Sequence, residues 1–386
     1  MNQLWSVDES TASFDFKSEV SNYSNFDQLD GDHPWRDFLP EGYIDYSVRV
    51  LPEGQVAYFN FNLAKEMGLI APNHDHLLNE DLKKKLVSTF SLRIINEYDQ
   101  KNSLRFPKKY LKPKKYMATR YLQLQHQNKK GRTSGDGRSI WNGVVRHQGS
   151  LWDVSSRGTG VTALSPGAVL AGRPLKSGSG NFGYGCGMAD LDELLAASIL
   201  AEIFHHQGIN TERILTIIDL GNGQGIGVRA GKNLLRPAHI FPYLKQNRRD
   251  SLRQAFDYLI IRQHRNREWR FGIHHPQRYR LMLDQLVFSF ANFASKLDRN
   301  YIFAWLDWDG DNVLASAGII DYGSVRQFGI RHDLYRYDDV ERFSTNLNQQ
   351  IPKARQILQS FVQALDYLEK GKRRPISHFK NSPPPK

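Results

Sequence analysis

Within fifteen residues the chain carries the carboxylates of Asp307, Asp309, Asp311 and Asp321 and the carboxamide of Asn312. Oxygen ligands at this density suit a hard cation, Mg²⁺, Mn²⁺ or Ca²⁺, in preference to zinc. A calcium loop of the EF-hand kind begins well at Asp307, Asp309 and Asp311. Its sixth position is then Asn312, where the turn needs glycine, and its twelfth is Gly318, where a bidentate glutamate belongs. A solvated acidic turn is the plain alternative, because Asp, Asn and Gly are all turn formers. Against it stands the apolar pair Ile319-Ile320 directly ahead of Asp321-Tyr322-Gly323, the pattern of a buried strand that delivers a carboxylate.

A hard cation of this kind commonly works on phosphate, which also needs positive charge and backbone N–H groups. Three places offer them: Arg157-Gly158-Thr159-Gly160, the run from Gly178 to Gly183, and the pair Arg229 and Arg236. The second matches G-x-G-x-x-G in form but follows no apolar strand, so it does not read as a dinucleotide fingerprint. The doublets His205-His206 and His274-His275 lack the Cys or carboxylate partners of a zinc site. No G-x-S-x-G or Ser/His/Asp arrangement is present.

The elements that must position these groups fall into two halves. Residues 43 to 67 read as two short strands about a Pro-Glu-Gly turn, then a helical Leu63 to Leu69. Residues 101 to 190 are rich in Gly, Ser and basic residues, with a strand-like patch at Leu151 to Ser155. Asp190 to His206 is the clearest helix, with apolar positions Leu191, Leu194, Leu195, Ile199 and Phe204 and a Gly208 stop. Strands 214–220 and 225–230 follow across a glycine-rich turn. Ser251 to Arg262, Arg278 to Leu297 with Phe288, Phe290 and Phe293, and Asp339 to Leu368 are helical in period. The expected fold class is α+β. An N-terminal extension (1–45) precedes a sheet-rich lobe (46–238), a helical lobe (239–375) and a disordered tail (376–386). Asp311 to Asp321 becomes a loop and hairpin between helices.

At 386 residues, 40% hydrophobic and 24% charged, the chain has ample length for a large core. Its single cysteine, Cys186, excludes an intramolecular disulfide and fits a reducing compartment, so the cytoplasm is the expected location. The first thirty residues lack the basic start and apolar run of a secretory signal, and no stretch approaches the roughly 18 apolar residues of a membrane span. The net charge of +12 points to an anionic partner, with basic runs at Lys108 to Lys115 and Lys370 to Arg374. Without a helix-turn-helix, zinc-finger or RNP signature, nucleic acid is not the expected partner.

Asp321-Tyr322-Gly323, with a carboxamide nine positions earlier, resembles the metal-binding elements of protein kinases. The chain as a whole resembles the selenoprotein O, or YdiU-like, family. The likeness runs from Tyr58 to Ala64 and Glu66 to Leu69 through Gly135-Asp136-Gly137-Arg138 and the region Trp152 to Gly160. It continues through Gly208-Ile209 and Arg213, similar to a Gly-Ile-Pro-Thr-Thr-Arg stretch, then Arg229 and Arg236, to Asp311-Asn312 and Asp321-Tyr322-Gly323. The resemblance implies a two-lobed protein-kinase-like fold that binds ATP with Mg²⁺ or Mn²⁺ and transfers AMP to hydroxyl side chains of proteins; a monomer is expected. It implies Asp311 as catalytic base and Asn312 and Asp321 as metal ligands. Arg157, Gly158, Gly160, Glu193, Arg229 and Arg236 would bind the nucleotide. Arg157 stands where the family has lysine, a planar fork in place of a compact ammonium. Its acidic partner is expected to be Glu193, since Ala197 fills the aligned place and Glu202 lies on the far side of the helix.

Overall fold

The computed structural model describes residues 23–122, 134–179, 185–300, 302–305, 310–322, 325–328 and 347–380. Its strands are β1 (Tyr43–Val50), β2 (Gln55–Phe59), β3 (Leu92–Ile94), β4 (Leu111–Thr119), β5 (Ser139–His147), β6 (Ser150–Arg157), β7 (Ala189–Asp190), β8 (Arg213–Gly221), β9 (Gln224–Gly231), β10 (Ile302–Trp305) and β11 (Val325–Phe328). Its helices are α1 (Trp35–Phe38), α2 (Phe61–Glu66), α3 (Glu80–Phe90), α4 (Glu97–Lys101), α5 (Pro166–Ala171), α6 (Leu191–His206), α7 (Pro237–Lys245), α8 (Arg249–Arg265), α9 (Arg278–Arg299) and α10 (Leu347–Lys370). Strands dominate before Gly231 and long helices after Pro237, an α+β order.

The large sheet is antiparallel, in the order β2-β8-β9-β6-β5-β4-β1-β3 with β7 on β9. The two strands about Pro52-Glu53-Gly54 do not pair with each other. β1 pairs with β3 and β4, whereas β2 pairs with β8. That places β1 and β2 six strand positions apart, about 29 Å in a flat sheet at about 4.8 Å per strand. The link from Val50 to Gln55 spans about 18 Å at most. The sheet therefore curls until its two ends meet. Leu51 fastens the corner through reciprocal bonds with Ser91, whose hydroxyl and carbonyl engage its C=O and N–H at 2.7 Å each.

One face of the sheet packs Val154, Leu215, Ile218 and Val228 against α2 and α3. The other receives α6, whose Leu194 lies where any side chain at Gly227 would meet its Cδ2 at 2.5 Å. The buried stripe of α6 runs through Leu194, Ala197, Ser198, Ala201 and Phe204. Ile199, expected among the apolar anchors, is 63% exposed because it sits some 140° around the helix from Leu194. Phe288 on α9 is 69% exposed for the same reason, while Phe290 and Phe293 are buried.

The segment ahead of β1 is woven into the body. Trp35 is fully buried, edge-on to Tyr258 of α8 at 5.0 Å between ring centroids. His33 Nε2 meets Asp153 Oδ1 at 3.0 Å. Asp153, on β6, also accepts from Arg262 of α8 at 2.6 Å and from the Leu234 backbone N–H at 2.8 Å, with no solvent exposure. Several residues of the basic runs find partners on the protein itself. Lys112 donates to the Ser88 carbonyl, Lys115 pairs with Asp30, Arg373 caps the Leu244 and Lys245 carbonyls of α7, and Arg374 pairs with Asp366. Among the described residues no helix is long and apolar enough to cross a membrane. Of the expected tail 376–386, Ile376–Phe379 form a 3₁₀ turn with Phe379 buried, whereas 381–386, like residues 339–346 of the expected last helix, lie outside the described residues.

Removing one partner of a buried ion pair strands the other charge without solvent, at about 3–5 kcal/mol. Arg262→Ala is accordingly expected to lose about 3–5 kcal/mol of unfolding free energy in urea titrations, whereas Lys83→Ala, which breaks only the exposed pair with Glu80, leaves the midpoint unchanged.

Candidate functional site

Sheet register gathers the basic half of the site. Ser155 of β6 lies opposite Arg229 of β9, and Arg157 lies two residues on from Ser155, so Arg157 and Arg229 share one face. On the other side Arg157 faces Ser139, which brings Arg138 alongside. Helix α6 covers this face with Glu193 in its first turn. Arg157 Nη1 lies 3.3 Å from Glu193 Oε1 and 3.2 Å from Asp321 Oδ1, and Arg138 Nη2 lies 3.1 Å from the same Glu193 oxygen. Ala197 is buried in the core of the helix interface, and Glu202 is committed elsewhere, to a bidentate pair with Arg213.

The acidic half is strapped to the start of β8. Val313 and Ile319 form an antiparallel bridge, and Ile319 bridges Thr211 in parallel. Glu212 N–H donates to the Ile319 carbonyl at 2.8 Å, and Ala315 N–H to the Leu235 carbonyl at 2.7 Å. Ile319 and Ile320 are buried, as their apolar character requires, and Asp311 and Asn312 are only 5% and 7% exposed. A solvated acidic turn is therefore excluded for 311–320. Asp321 adopts φ +79°, a left-handed conformation that costs a non-glycine residue on the order of 1–3 kcal/mol. Its N–H donates to Glu212 Oε1 at 3.0 Å, and Glu212 Oε2 pairs with Arg229 Nη1 at 3.1 Å. Arg236 Nη1 donates to the Asp311 carbonyl at 2.8 Å.

Seclusion from solvent alone would raise the Asp321 pKa. Arg157, and then Arg138, Arg229 and Arg236, outweigh it and hold the carboxyl well below the usual carboxylate range. Burial likewise opposes the charge on Arg157, but Asp321, Glu193 and Glu212 reverse the balance and raise its pKa. Arg229 goes the other way: burial lowers it, Glu212 opposes, and the like charges of Arg236 and Arg157 reinforce the fall.

Gly158 and Gly160 do not present free N–H groups. Their amides donate to the Arg138 and Gly187 carbonyls at 2.9 and 3.0 Å. They are glycines because φ is +87° and +117°, and because a Cβ on Gly158 would meet the Gly225 carbonyl oxygen at 2.3 Å. The G-x-G-x-x-G run lies mostly outside the described residues, as do Asp307, Asp309 and Gly323.

Among the described residues no group of three or more His, Cys, Asp or Glu forms a metal cage. Asn312 and Asp321, the metal ligands expected from the resemblance, would by themselves offer only a partial shell, the kind Mg²⁺ completes with water and phosphate oxygens. The basic half fits an anionic ligand on its own evidence. Arg157 Nη2, Arg229 Nε and Arg236 Nε are buried without a hydrogen-bond partner among the described residues, and buried donors need acceptors. Phosphate oxygens would satisfy them.

No family model matches the chain. It is 28% identical over 203 residues to the protein nucleotidyltransferase YdiU of Gloeobacter violaceus, covering 49% of this chain and 37% of that protein. It is 27% identical over 136 residues to the protein nucleotidyltransferase YdiU of Shewanella loihica, covering 33% of this chain and 25% of that protein. The chain is similar to YdiU protein nucleotidyltransferases. It spans well under half the length of these YdiU relatives.

Three participants escape sequence reasoning about the site. Arg138 and Asp136 lie in the Gly-Asp-Gly-Arg motif shared with the YdiU-like resemblance, a signal of presence but not of role. Glu212 carries no local signal. Asp136 anchors a chain of bonds with a single consistent tautomer: Arg236 N–H donates to His239 Nδ1 (3.0 Å), His239 Nε2–H to Thr119 Oγ1 (2.8 Å), and Thr119 Oγ1–H to Asp136 Oδ2 (2.5 Å). Trp141 Nε1 donates to the same oxygen at 3.0 Å. His239 is thereby neutral, its pKa brought down to about 3 by burial and then by Arg236.

Two outcomes follow for measurement. Gly158→Ala combines left-handed backbone with a backbone clash and should cost about 2–4 kcal/mol in urea titrations. Gly223→Ala, at φ +71° with open space around it, should cost only about 1 kcal/mol. The second concerns pH. Folded His239, and His33 with it, refuse a proton that the unfolded chain accepts near 6.5, so the unfolded state binds more protons below that value. Stability should fall as pH drops from 7.5 to 5, and less steeply in His239→Gln; a pH-independent urea midpoint over that range would contradict the neutral assignment.

Proposed function

We propose that the chain binds ATP with Mg²⁺ or Mn²⁺ and transfers AMP to hydroxyl side chains of proteins, on a two-lobed scaffold of the protein-kinase kind. The nucleotide lobe would be 46–238 and the helical lobe 239–375. The observation that carries this reading is Arg157, one buried guanidinium within 3.3 Å of both Glu193 on α6 and Asp321 of the acidic loop. That arrangement is the counterpart of a kinase's lysine–glutamate pair set against its metal-binding aspartate. Similarity to proteins whose name states nucleotidyl transfer supports the transfer class.

In this reading Asn312 and Asp321 hold the cation, which when bound neutralises phosphate charge. Arg229 and Arg236 grip the phosphates, while Gly158 and Gly160 shape the strand end that carries Arg157. The hydroxyl oxygen of the protein substrate bonds to the α-phosphorus as the bond to the pyrophosphate oxygen breaks, and Asp311 takes the hydroxyl proton. Pyrophosphate leaves.

A second reading, a nucleotide-binding protein without transfer, is favoured by the ion pair between Arg157 and Asp321, which engages an oxygen that a metal needs. Parallel incubation with α- and γ-labelled ATP separates the possibilities. Transfer of the α label alone is expected, abolished in Asp321→Ala and increased in Arg157→Lys. Transfer of the γ label would make the protein a kinase. Thermal protection by ATP with neither label transferred would leave the silent reading, and absence of any ATP binding would remove both.

A further inference from the structure

The proposed chemistry employs Asp311, Asn312 and Asp321 and leaves Glu212 without a task. Glu212 is fully buried, and each of its carboxylate oxygens is engaged in the site: one accepts from Asp321 N–H at 3.0 Å, the other from Arg229 Nη1 at 3.1 Å. Accepting from a guanidinium and from a backbone N–H at once is what a phosphate oxygen does in an anion site. Its position is not adjustable. The Glu212 backbone is pinned to Ile319, and the next residue, Arg213, is held by Glu202 and Glu66.

We infer that Glu212 is an internal anion that occupies the phosphate-facing edge of Arg229 and so determines which ligands the site accepts, disfavouring them in proportion to their phosphate charge. The inference rests on the nucleotide reading of this site. A phosphate oxygen approaching Arg229 either competes with Glu212 for Nη1 or lies beside it as a buried like charge, and away from solvent both are costly. A nucleoside without phosphates escapes the penalty, whereas a triphosphate meets it in full. The Nε of Arg229 is buried and lacks a hydrogen-bond partner among the described residues.

The test is equilibrium binding to the full chain of Mg·ATP, inorganic tripolyphosphate and adenosine, comparing wild type with Glu212→Gln, Glu212→Thr and Glu212→Asp, each first shown to melt cooperatively. The neutral variants are expected to bind Mg·ATP and tripolyphosphate about tenfold or more tightly than wild type, with adenosine unchanged and Glu212→Asp close to wild type. Unchanged or weaker polyphosphate binding in every neutral variant that folds would overturn the inference and leave Glu212 a structural counter-ion. If wild type also binds Mg·ATP in that case, the nucleotide reading survives without it. Tighter tripolyphosphate binding without any ATP binding would uphold the role of Glu212 as internal anion while removing the nucleotide reading.

Discussion

The buried carboxylate of Asp153 is the constraint on which the two halves of the molecule depend. A charge with no solvent exposure is tolerable only when its donors are all in place. Here they come from the segment before the sheet (His33), from α8 (Arg262) and from the link between β9 and α7 (Leu234). Satisfying that one group therefore fixes how the curled sheet meets the helices. Two residues beyond Leu234 stands Arg236, so the same constraint sets the position from which this guanidinium reaches the Asp311 carbonyl.

The site itself is a balance of opposed charges in a secluded space. Arg138, Arg157, Arg229 and Arg236 face Glu193, Glu212, Asp136, Asp311 and Asp321, and none of the cations is tolerable there without the anions. Arg157 links a helix, a strand and a loop, so displacing any one of them disturbs the other two. The unfavourable left-handed backbone of Asp321 persists because its N–H finds Glu212 and its carboxylate finds Arg157. Strain at such a position is retained where surrounding contacts over-determine it. The neutral links His239 and Thr119, which join the Arg236 N–H to the Asp136 carboxylate, add rigidity without adding positive charge, which suits a place already dense with guanidinium groups.

Much of the local structure was legible along the chain. The hairpin of β8 and β9, the helices α6, α8 and α9, and the buried Ile319-Ile320 pair all follow from period and turn chemistry, which act over a few residues. The pairing of Arg157 with Glu193 followed from the family resemblance, which implies an acidic partner on α6, together with helical geometry, which places Glu193 and not Glu202 on the aligned face. What misled was also local in origin. Ile199 and Phe288 are apolar and in helical segments, yet the packed stripe passes them by. The glycines after Arg157 have the composition of a phosphate loop, although their amides are bonded within the sheet corner.

By itself, the amino-acid sequence determined which chemical groups are present: oxygen donors at Asp311, Asn312 and Asp321, arginines of the kind that suits phosphate, and too few cysteines for a Cys-rich metal site. Those are properties of side-chain type and short spacing. Only the tertiary structure decided that β1 and β2 lie six strand positions apart in one sheet and that Asp321 meets Arg157 across 164 residues. It alone also decided that Glu212, unremarkable in sequence, stands between Arg229 and Asp321. The reason is physical: strand order, register and the burial of charge are settled by contacts between distant segments, and no local pattern encodes which partner a buried ion finds.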